Sequence, residues 1–217
     1  MSSVLSVGAP DVAFSVCAVT AVAGAAVPTI SFGVRVDADG REVSSIALNV
    51  QLRLDATRRR YAPADETLLL ELFGGRERWG QTLRSLLWAT TSLTVPRFTG
   101  QTVVEVTVPA TYDFDVLAAK YLNALTEGEV PVELLFSGTV FYEEGKRLQA
   151  APVSWEREAQ TTLPLAVWRE ALDAAFPGEA WLRVRRDVFE RLWAYRAARA
   201  LPGWEATFDE LLGDHGR

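Results

Sequence analysis

The chain has 217 residues, of which 49% are hydrophobic and 23% are charged, and 22 basic and 28 acidic side chains give it a net charge of −6. This balance is typical of an ordinary globular protein and excludes a disordered, fibrous or membrane-embedded chain. One His and one Cys exclude an internal Cys/His zinc site and an iron–sulfur cluster, which need about three or four such ligands. The negative charge argues against nucleic-acid binding. We therefore expect no metal, no cofactor and no nucleic-acid partner.

The N-terminal part of the chain is apolar, with no charged residue between Val12 and Val34. A secretory signal places basic residues before its apolar segment, whereas the first basic residue here is Arg35. Polar and helix-breaking residues also interrupt the segment, unlike those of a membrane-spanning helix. We therefore expect a cytoplasmic protein without a membrane span, in which Cys17 is a free and buried thiol.

Strict alternation of apolar and polar residues predicts strands in the first part of the chain. Ile46–Leu54 alternates along its whole length, and Ile30–Val36 does the same. Asp39 and Gly40 between them suit the positive φ angles of a tight turn, so we expect these two strands to form a hairpin. Further strands are predicted at Val12–Val19, Leu83–Val95, Gln101–Val108, Val130–Tyr142 and Leu148–Val153.

Helical spacing replaces alternation in two internal segments, Pro63–Phe73 and Tyr112–Leu125, and throughout the C-terminal part. The C-terminal helices are predicted at Val167–Ala175, at Leu182–Ala200 and from Trp204 onward. We predict an α+β fold: residues 1–160 form mainly an antiparallel β-sandwich or a curved sheet with two helical insertions. Residues 161–217 are predicted to form a C-terminal helical subdomain packed on it.

Two carboxylates, Asp113 and Asp115, are the acidic-site candidates, and they flank Phe114 at the start of a predicted helix. Paired carboxylates can share a proton in hydrolysis or bind a hard cation such as Mg²⁺ or Ca²⁺. Asp residues at the start of a helix are also N-caps, and capping is the simpler interpretation.

Arginine is concentrated in two places. Residues 58–60 are three consecutive arginines after a strand, and we interpret them as a solvated loop. Six more lie between Arg183 and Arg199, where they scatter around the helical cylinder. This scatter is typical of side chains that lie over the rims of an amphipathic helix, with an anion-binding patch as the alternative.

Five of the seven tryptophans lie from Trp155 onward, so the C-terminal part is rich in aromatic residues. A buried core is the simpler interpretation of these rings. A protein-binding surface is the alternative, because Trp and Tyr beside Arg are typical of binding hot spots. The candidate partner-binding residues are Trp168, Trp181, Trp193, Tyr195 and Trp204.

Six short runs of the sequence are distinctive: Ala47–Arg53, Arg76–Gly80, Tyr112–Val116, Phe136–Tyr142, Pro164–Glu170 and Ala180–Arg183. They resemble a family of uncharacterised, chiefly actinobacterial proteins, and the resemblance covers about residues 14–212. That family is associated with gene clusters for high-affinity nickel–iron hydrogenases. The resemblance implies a cytoplasmic accessory protein that helps to make, assemble or attach a hydrogenase. It carries over no catalytic residue, because none is assigned in the family.

A non-enzymatic binding or assembly module is the leading functional hypothesis. Such a protein would hold hydrogenase subunits or maturation factors through a sheet edge or an aromatic groove. It predicts an exposed apolar patch rich in aromatic residues. Exposed sheet edges would also allow a homodimer as readily as a monomer.

Two other classes of function remain open. A carboxylate-dependent hydrolase would place Asp113, Asp115 or Glu105 in one deep pocket, with a raised pKa for at least one of them. A small-ligand carrier would enclose a cavity inside the curved sheet.

Overall fold

The structure, a computed structural model, describes residues 8–110, 112–179 and 184–214, apart from the side chains of residues 112–116 and 214. The chain divides into two compact units, Met1–Gly178 and Glu179–Arg217. Every strand that the structure describes belongs to the first unit. Two helices, α6 (Arg186–Ala198) and α7 (Trp204–Asp214), make up the described part of the second unit.

Two antiparallel sheets form the first unit. The three-stranded sheet has the order β1-β2-β5, with strands at Ala13–Ala21, Thr29–Val43 and Phe98–Pro109. The five-stranded sheet contains β3 (Ser45–Leu54), β4 (Leu86–Val95), β6 (Glu129–Glu144), β7 (Arg147–Pro152) and β8 (Glu158–Pro164). In this sheet β3 lies between β4 and β6, while β7 and β8 pair with opposite ends of β6 along its other side. The predicted fold class is confirmed.

The core of the first unit lies between the two sheets. The apolar positions that alternate along β2 and β3 are all buried there: Ile30, Phe32, Val34, Val36, Ile46, Leu48, Val50, Leu52 and Leu54. Rings from opposite sheets meet in this layer, since Phe14 stacks on Phe136 at 4.2 Å and Phe32 meets Trp88 edge-on at 5.9 Å. Period-two alternation therefore identified the buried apolar positions of β2 and β3 correctly.

The predicted hairpin between Ile30–Val36 and Ile46–Leu54 is wrong. The strand β2 continues past Asp39 and Gly40 to Val43, and it pairs with β5, whereas β3 pairs with β4 and β6. Asp39 and Gly40 do have positive φ angles, 51° and 74°, but they form a bulge between two registers of the β2–β5 pair. Positive φ angles suit a bulge as well as a turn, and local sequence does not distinguish the two.

A single glycine allows β3 and β6 to approach each other. Gly138 on β6 faces Leu48 on β3 and has a φ angle of 146°. A Cβ atom at position 138 would lie 2.0 Å from the Ala47 carbonyl oxygen. Glycine is therefore required here by both the backbone angle and the close contact.

The prediction that Cys17 is buried is wrong. It lies on the edge strand β1, at a register shift between Val16 and Ala18, and its side chain is exposed. Its Sγ donates to the Gly33 carbonyl oxygen at 3.2 Å. Val12 and Phe14 face the core, so period-two alternation places Cys17 on the outer face of β1, with Ala13 and Ser15.

Helices fill two of the connections between strands. Between β3 and β4 lie α1 (Pro63–Leu68), α2 (Leu70–Phe73) and α3 (Trp79–Thr82), so the predicted helix at Pro63–Phe73 is divided at Leu69. Two single turns of 3₁₀ helix, Ala56–Arg58 and Arg76–Arg78, complete this insertion. The helix α4 (Tyr112–Asn123) connects β5 to β6.

The helix α5 (Leu165–Ala175) belongs to the first unit. It packs against β1, β2 and β8, and it buries Leu165, Trp168 and Ala171. The two compact units divide after Gly178, whereas the sequence places the boundary after residue 160. The change from alternation to helical spacing therefore marks the end of the last strand, and not the end of the first unit. Within the described part of the chain, no helix combines the length and the apolar character that crossing a membrane would require.

Candidate functional site

The predicted partner-binding residues lie in different environments. Trp193 and Tyr195 are on α6, and Trp204 is the first residue of α7. Trp168 is on α5, where it is only 4% exposed and belongs to the core of the first unit. Trp181 lies outside the described residues. Three of the five candidates therefore lie on the helices of the second unit, and two of them, Trp193 and Trp204, contact each other.

Four aromatic rings on α6 and α7 form one continuous surface, which we call the aromatic face. Its members are Phe189, Trp193, Trp204 and Phe208. The Trp204 ring is central, with its centroid 5.4 Å from Phe189, 6.1 Å from Trp193 and 6.3 Å from Phe208. Tilted rings at these separations attract each other, so the cluster holds the two helices together.

Arg196 places a positive charge against the aromatic face. Its guanidinium carbon lies 5.7 Å from the Trp193 ring centroid and 5.2 Å from that of Trp204. The same side chain donates to the carbonyl oxygens of Leu201 and Pro202, at 3.2 Å and 3.0 Å. Arg196 therefore fixes the turn between the helices and makes cation–π contacts with two indoles. From the sequence we expected Arg196 to lie over the rim of an amphipathic helix, whereas its guanidinium contacts the aromatic face itself.

Much of the aromatic face remains exposed. Trp193 is 56% exposed, Phe189 42% and Phe208 36%, and nearby on α7 Leu212 is 75% exposed. No residue of α6 is buried. Large apolar side chains that stay exposed next to one another on one surface are typical of protein-interaction sites.

Tyr195 lies in a separate contact between the two helices. The Arg199 guanidinium carbon lies 4.3 Å from the Tyr195 ring centroid, and Arg199 Nη1 pairs with Glu210 Oε1 at 2.6 Å. This contact links α6 to α7 by a charge pair, and the tyrosine ring supports the guanidinium.

Phe189 and Phe208 belong to the aromatic face but were not among the candidates. Each lies four positions from a candidate tryptophan on the same helix, Phe189 before Trp193 and Phe208 after Trp204. Residues four apart are neighbours on a helix surface. This spacing was the signal that would have completed the site from the sequence.

The acidic candidates Asp113 and Asp115 lie on α4, and their side chains are outside the described part of the structure. Glu105, the third carboxylate of the hydrolase hypothesis, is exposed on β5. Among the described residues, no group of three or more His, Cys, Asp and Glu side chains could hold a metal ion.

A polar cleft of about 340 Å³ in the first unit contains a buried ion pair. The side chains of Arg59 and Asp65 are 7% and 1% exposed, and Arg59 Nη2 lies 3.6 Å from Asp65 Oδ2. Asp65 Oδ1 also accepts from the backbone N–H and the hydroxyl of Thr126, each at 2.9 Å, and Oδ2 accepts from the Ala62 N–H at 3.2 Å. Burial by itself would raise the pKa of Asp65, but these hydrogen bonds and the Arg59 charge outweigh it and lower the pKa.

The interpretation of residues 58–60 as a solvated loop is wrong for Arg59. Its guanidinium donates to the Glu127 and Glu129 carbonyl oxygens, at 2.5 Å and 2.6 Å, and lies 5.8 Å from the Tyr61 ring centroid. The ion pair therefore holds the first helical insertion against the start of β6. Both oxygens of Asp65 and both terminal nitrogens of Arg59 have partners within the protein, whereas the buried Arg59 Nε has none. We therefore assign the ion pair to stability and not to ligand binding.

Comparison with known proteins places the chain in a family. A family model described as "Family of unknown function (DUF6084)" matches residues 9–217. No curated protein matches the sequence.

Solved structures show only distant likeness. A protein assigned to the late embryogenesis abundant (LEA) group shares 15% identity over 71% of this chain and 72% of its own, with a TM-score of 0.34. β-Glucosidase 3B from Thermotoga neapolitana shares 11% identity over 70% of this chain and 17% of its own, with a TM-score of 0.27. A protein from Archaeoglobus fulgidus shares 9% identity over 69% of this chain and 96% of its own, also with a TM-score of 0.27. At these scores none of the three likenesses carries an argument.

Proposed function

Because this chain belongs to the DUF6084 family of unknown function, its role has to be inferred from its own surface, and we propose that it is a non-enzymatic binding protein. It acts by holding a protein partner on the aromatic face. The observation that carries this proposal is the exposure of Trp193 and Phe189, which lie side by side on α6 with ring centroids 6.0 Å apart.

The aromatic face has the composition of a binding hot spot. Its tryptophans supply a large apolar area with few rotatable bonds, and Arg196 supplies a charge that is already held in position by two carbonyl oxygens. A surface that is ordered before binding loses less conformational entropy when a partner docks. The face is therefore suited to docking a complementary apolar surface of another protein.

We further propose that the partner is a subunit or a maturation factor of a nickel–iron hydrogenase, and that the protein acts in the cytoplasm of actinobacteria. The family resemblance of the sequence supports this part of the proposal. The chain has one His and one Cys, so the role that we propose is one of contact and assembly, and not of carrying nickel through Cys and His ligands.

The other two hypotheses draw less support from the geometry. A carrier needs an open space between the sheets, whereas two pairs of rings from opposite sheets, Phe14–Phe136 and Phe32–Trp88, contact each other in that layer. The hydrolase hypothesis requires a pocket shared with Glu105, and this side chain is exposed on a strand.

Affinity purification of the tagged protein from its native host, under conditions in which the hydrogenase is expressed, tests the proposal. Mass spectrometry of the bound proteins should identify hydrogenase subunits or maturation factors. The double variant Trp193→Ala, Phe189→Ala should lose them, because it removes the two most exposed rings of the aromatic face.

Trp155→Ala is the matched control, since Trp155 is 84% exposed but lies in the first unit. This variant should retain the same proteins as the wild type. Recovery of the tagged protein alone would contradict the proposal, as would equal recovery of hydrogenase proteins by the wild type and the double variant.

A further inference from the structure

We infer that the aromatic face binds the same face of a second copy of this chain, forming a two-fold symmetric dimer. The inference rests on the proposed function in one respect, since it takes the aromatic face as the binding surface, and it adds a named partner. In a two-fold interface the same patch of both copies meets, so the patch must be complementary to itself. Two properties of α6 and α7 meet this condition.

The first property is an apolar surface on a unit with little buried apolar area among its described residues. The second unit spans Glu179–Arg217, its helix α6 buries no residue, and among the described residues of the unit only Thr207 is buried. Units of fewer than about 40 residues usually need disulfides, a metal or association with another chain to be stable. One Cys and one His in the whole chain exclude a disulfide within the chain and a Cys/His metal site. Association through the exposed rings would add the apolar burial that favours a stable unit.

The second property is opposite charge on the two helices. The helix α6 itself (Arg186–Ala198) carries three arginines against Asp187 and Glu190, a net charge of +1. The segment Trp204–Asp214, which is α7, carries four acidic residues and no basic residue, a net charge of −4. A two-fold axis through the aromatic face can place α6 of each copy against α7 of the other. Opposite charges then surround the apolar contact twice, once in each direction.

Such a dimer would protect the exposed tryptophans when no other partner is present. A hydrogenase protein that uses the same face would then compete with the second copy, and its apparent affinity would depend on protein concentration. Dimerisation is thus a form of regulation for the binding surface.

Sedimentation velocity of the full-length protein, from about 1 µM to about 200 µM, tests the inference. We expect a reversible equilibrium between the 23.9 kDa chain and a species of twice that mass. The double variant Trp193→Ala, Phe208→Ala should raise the dimer dissociation constant at least about tenfold, because it removes exposed rings from the centre of the contact. Trp155→Ala should leave the constant unchanged.

Charge reversal provides a second test that does not depend on the aromatic residues. Arg186 and Glu205 are exposed on α6 and α7. Each borders the aromatic face, since Arg186 lies three positions before Phe189 and Glu205 three positions before Phe208. The single variants Arg186→Glu and Glu205→Arg should each weaken the dimer, because each places like charges across the interface. An equimolar mixture of the two variants should associate more tightly than either variant alone.

A protein that stays monomeric over this concentration range would overturn the inference, and so would a dimer that is indifferent to both sets of substitutions. The proposed function has its own readout. A monomeric protein that still captures hydrogenase proteins through Trp193 would remove the dimer and leave the proposed function in place. A dimer that depends on Trp193 but captures no hydrogenase protein would support the inference and contradict the proposed function.

Discussion

The helices α5 and α6 have similar lengths and each carries a tryptophan, yet they use it in opposite ways. On α5, Trp168 is 4% exposed and its indole N–H donates to Asn123 Oδ1 at 2.8 Å. On α6, Trp193 is 56% exposed. Trp168 therefore contributes to the stability of the first unit, whereas the Trp193 ring can contact another molecule. Helical spacing alone does not distinguish these two uses.

Replacement of Trp168 by alanine tests whether this ring is a core residue, as its burial indicates. We expect Trp168→Ala to lower the free energy of unfolding by about 3–5 kcal/mol, because it leaves a cavity and an unpaired Asn123 side chain. Urea unfolding measures the change. Trp155→Ala, at an 84% exposed position of the same unit, is the control and should change the stability by about 0.5 kcal/mol or less. Equal effects of the two substitutions would contradict the assignment.

A buried ion pair gives the first unit a further element of stability. Asp65→Ala should lower the free energy of unfolding by about 3 kcal/mol, since it leaves the Arg59 charge and the Thr126 N–H without their acceptor. Glu71→Ala is the control, because the Glu71 side chain is 73% exposed and pairs only at the surface with Lys120. A smaller loss for Asp65→Ala than for Glu71→Ala would show that the pair is not structural.

The contribution of Asp65 should also depend on pH. Its pKa is lower in the folded state than in the unfolded chain, so the stabilisation is complete above the unfolded value of about 4. It is lost as the pH falls from there through the folded-state pKa. Unfolding midpoints of the wild type and of Asp65→Ala should therefore converge below about pH 4. A constant difference between the two midpoints down to acid pH would refute this account.

The hydrogen-bonded pair of Tyr61 and Tyr121 should give a smaller effect. Tyr61 Oη donates to the Ala56 carbonyl oxygen at 2.7 Å and lies 2.8 Å from Tyr121 Oη. Tyr61→Phe should cost about 1–2 kcal/mol, because it leaves both groups without this partner. Burial raises the pKa of both hydroxyls, so the wild type should lose stability above about pH 10, where tyrosine ionises in the unfolded chain. Unfolding followed from pH 7 to above pH 10 tests both points, and stability that is flat over this range would exclude the pair as a factor.

The smallest effect on stability is expected at the aromatic face. Trp193→Ala should change the free energy of unfolding of the first unit by about 0.5 kcal/mol or less, although it weakens binding. Parallel measurements of unfolding and of sedimentation separate the two effects. A loss of stability as large as that of Trp168→Ala would remove the contrast between the two tryptophans.

Features that depend on neighbouring residues could be predicted from the sequence. The alternation of Ile46–Leu54 identified a strand and its buried face, and helical spacing identified α5, α6 and α7. The same reasoning failed at Asp39 and Gly40, because a bulge and a hairpin turn place the same demand on the backbone.

Features that depend on distant residues could not be predicted in this way. Asp65 accepts from Thr126, and Arg59 donates to Glu129, so both buried groups bond to partners far along the chain. The aromatic face was predicted in part, since Trp193 and Trp204 were candidates, whereas the burial of Trp168 depends on how α5 packs on β1, β2 and β8. A count of aromatic residues carries no information about that packing.

The crossing of the chain between the sheets at Ser44 has a consequence for synthesis on the ribosome. Because β2 does not turn back on β3, its second partner is β5, and Ile30 pairs with Val108. In the same way β3 needs β6, where Ile46 pairs with Val140. During synthesis, β2 and β3 therefore emerge well before β5 and β6, with which they pair. The β1–β2 pair is an early local contact. Such long-range pairing predicts slow folding and a nascent chain that exposes apolar strands until most of the first unit has emerged.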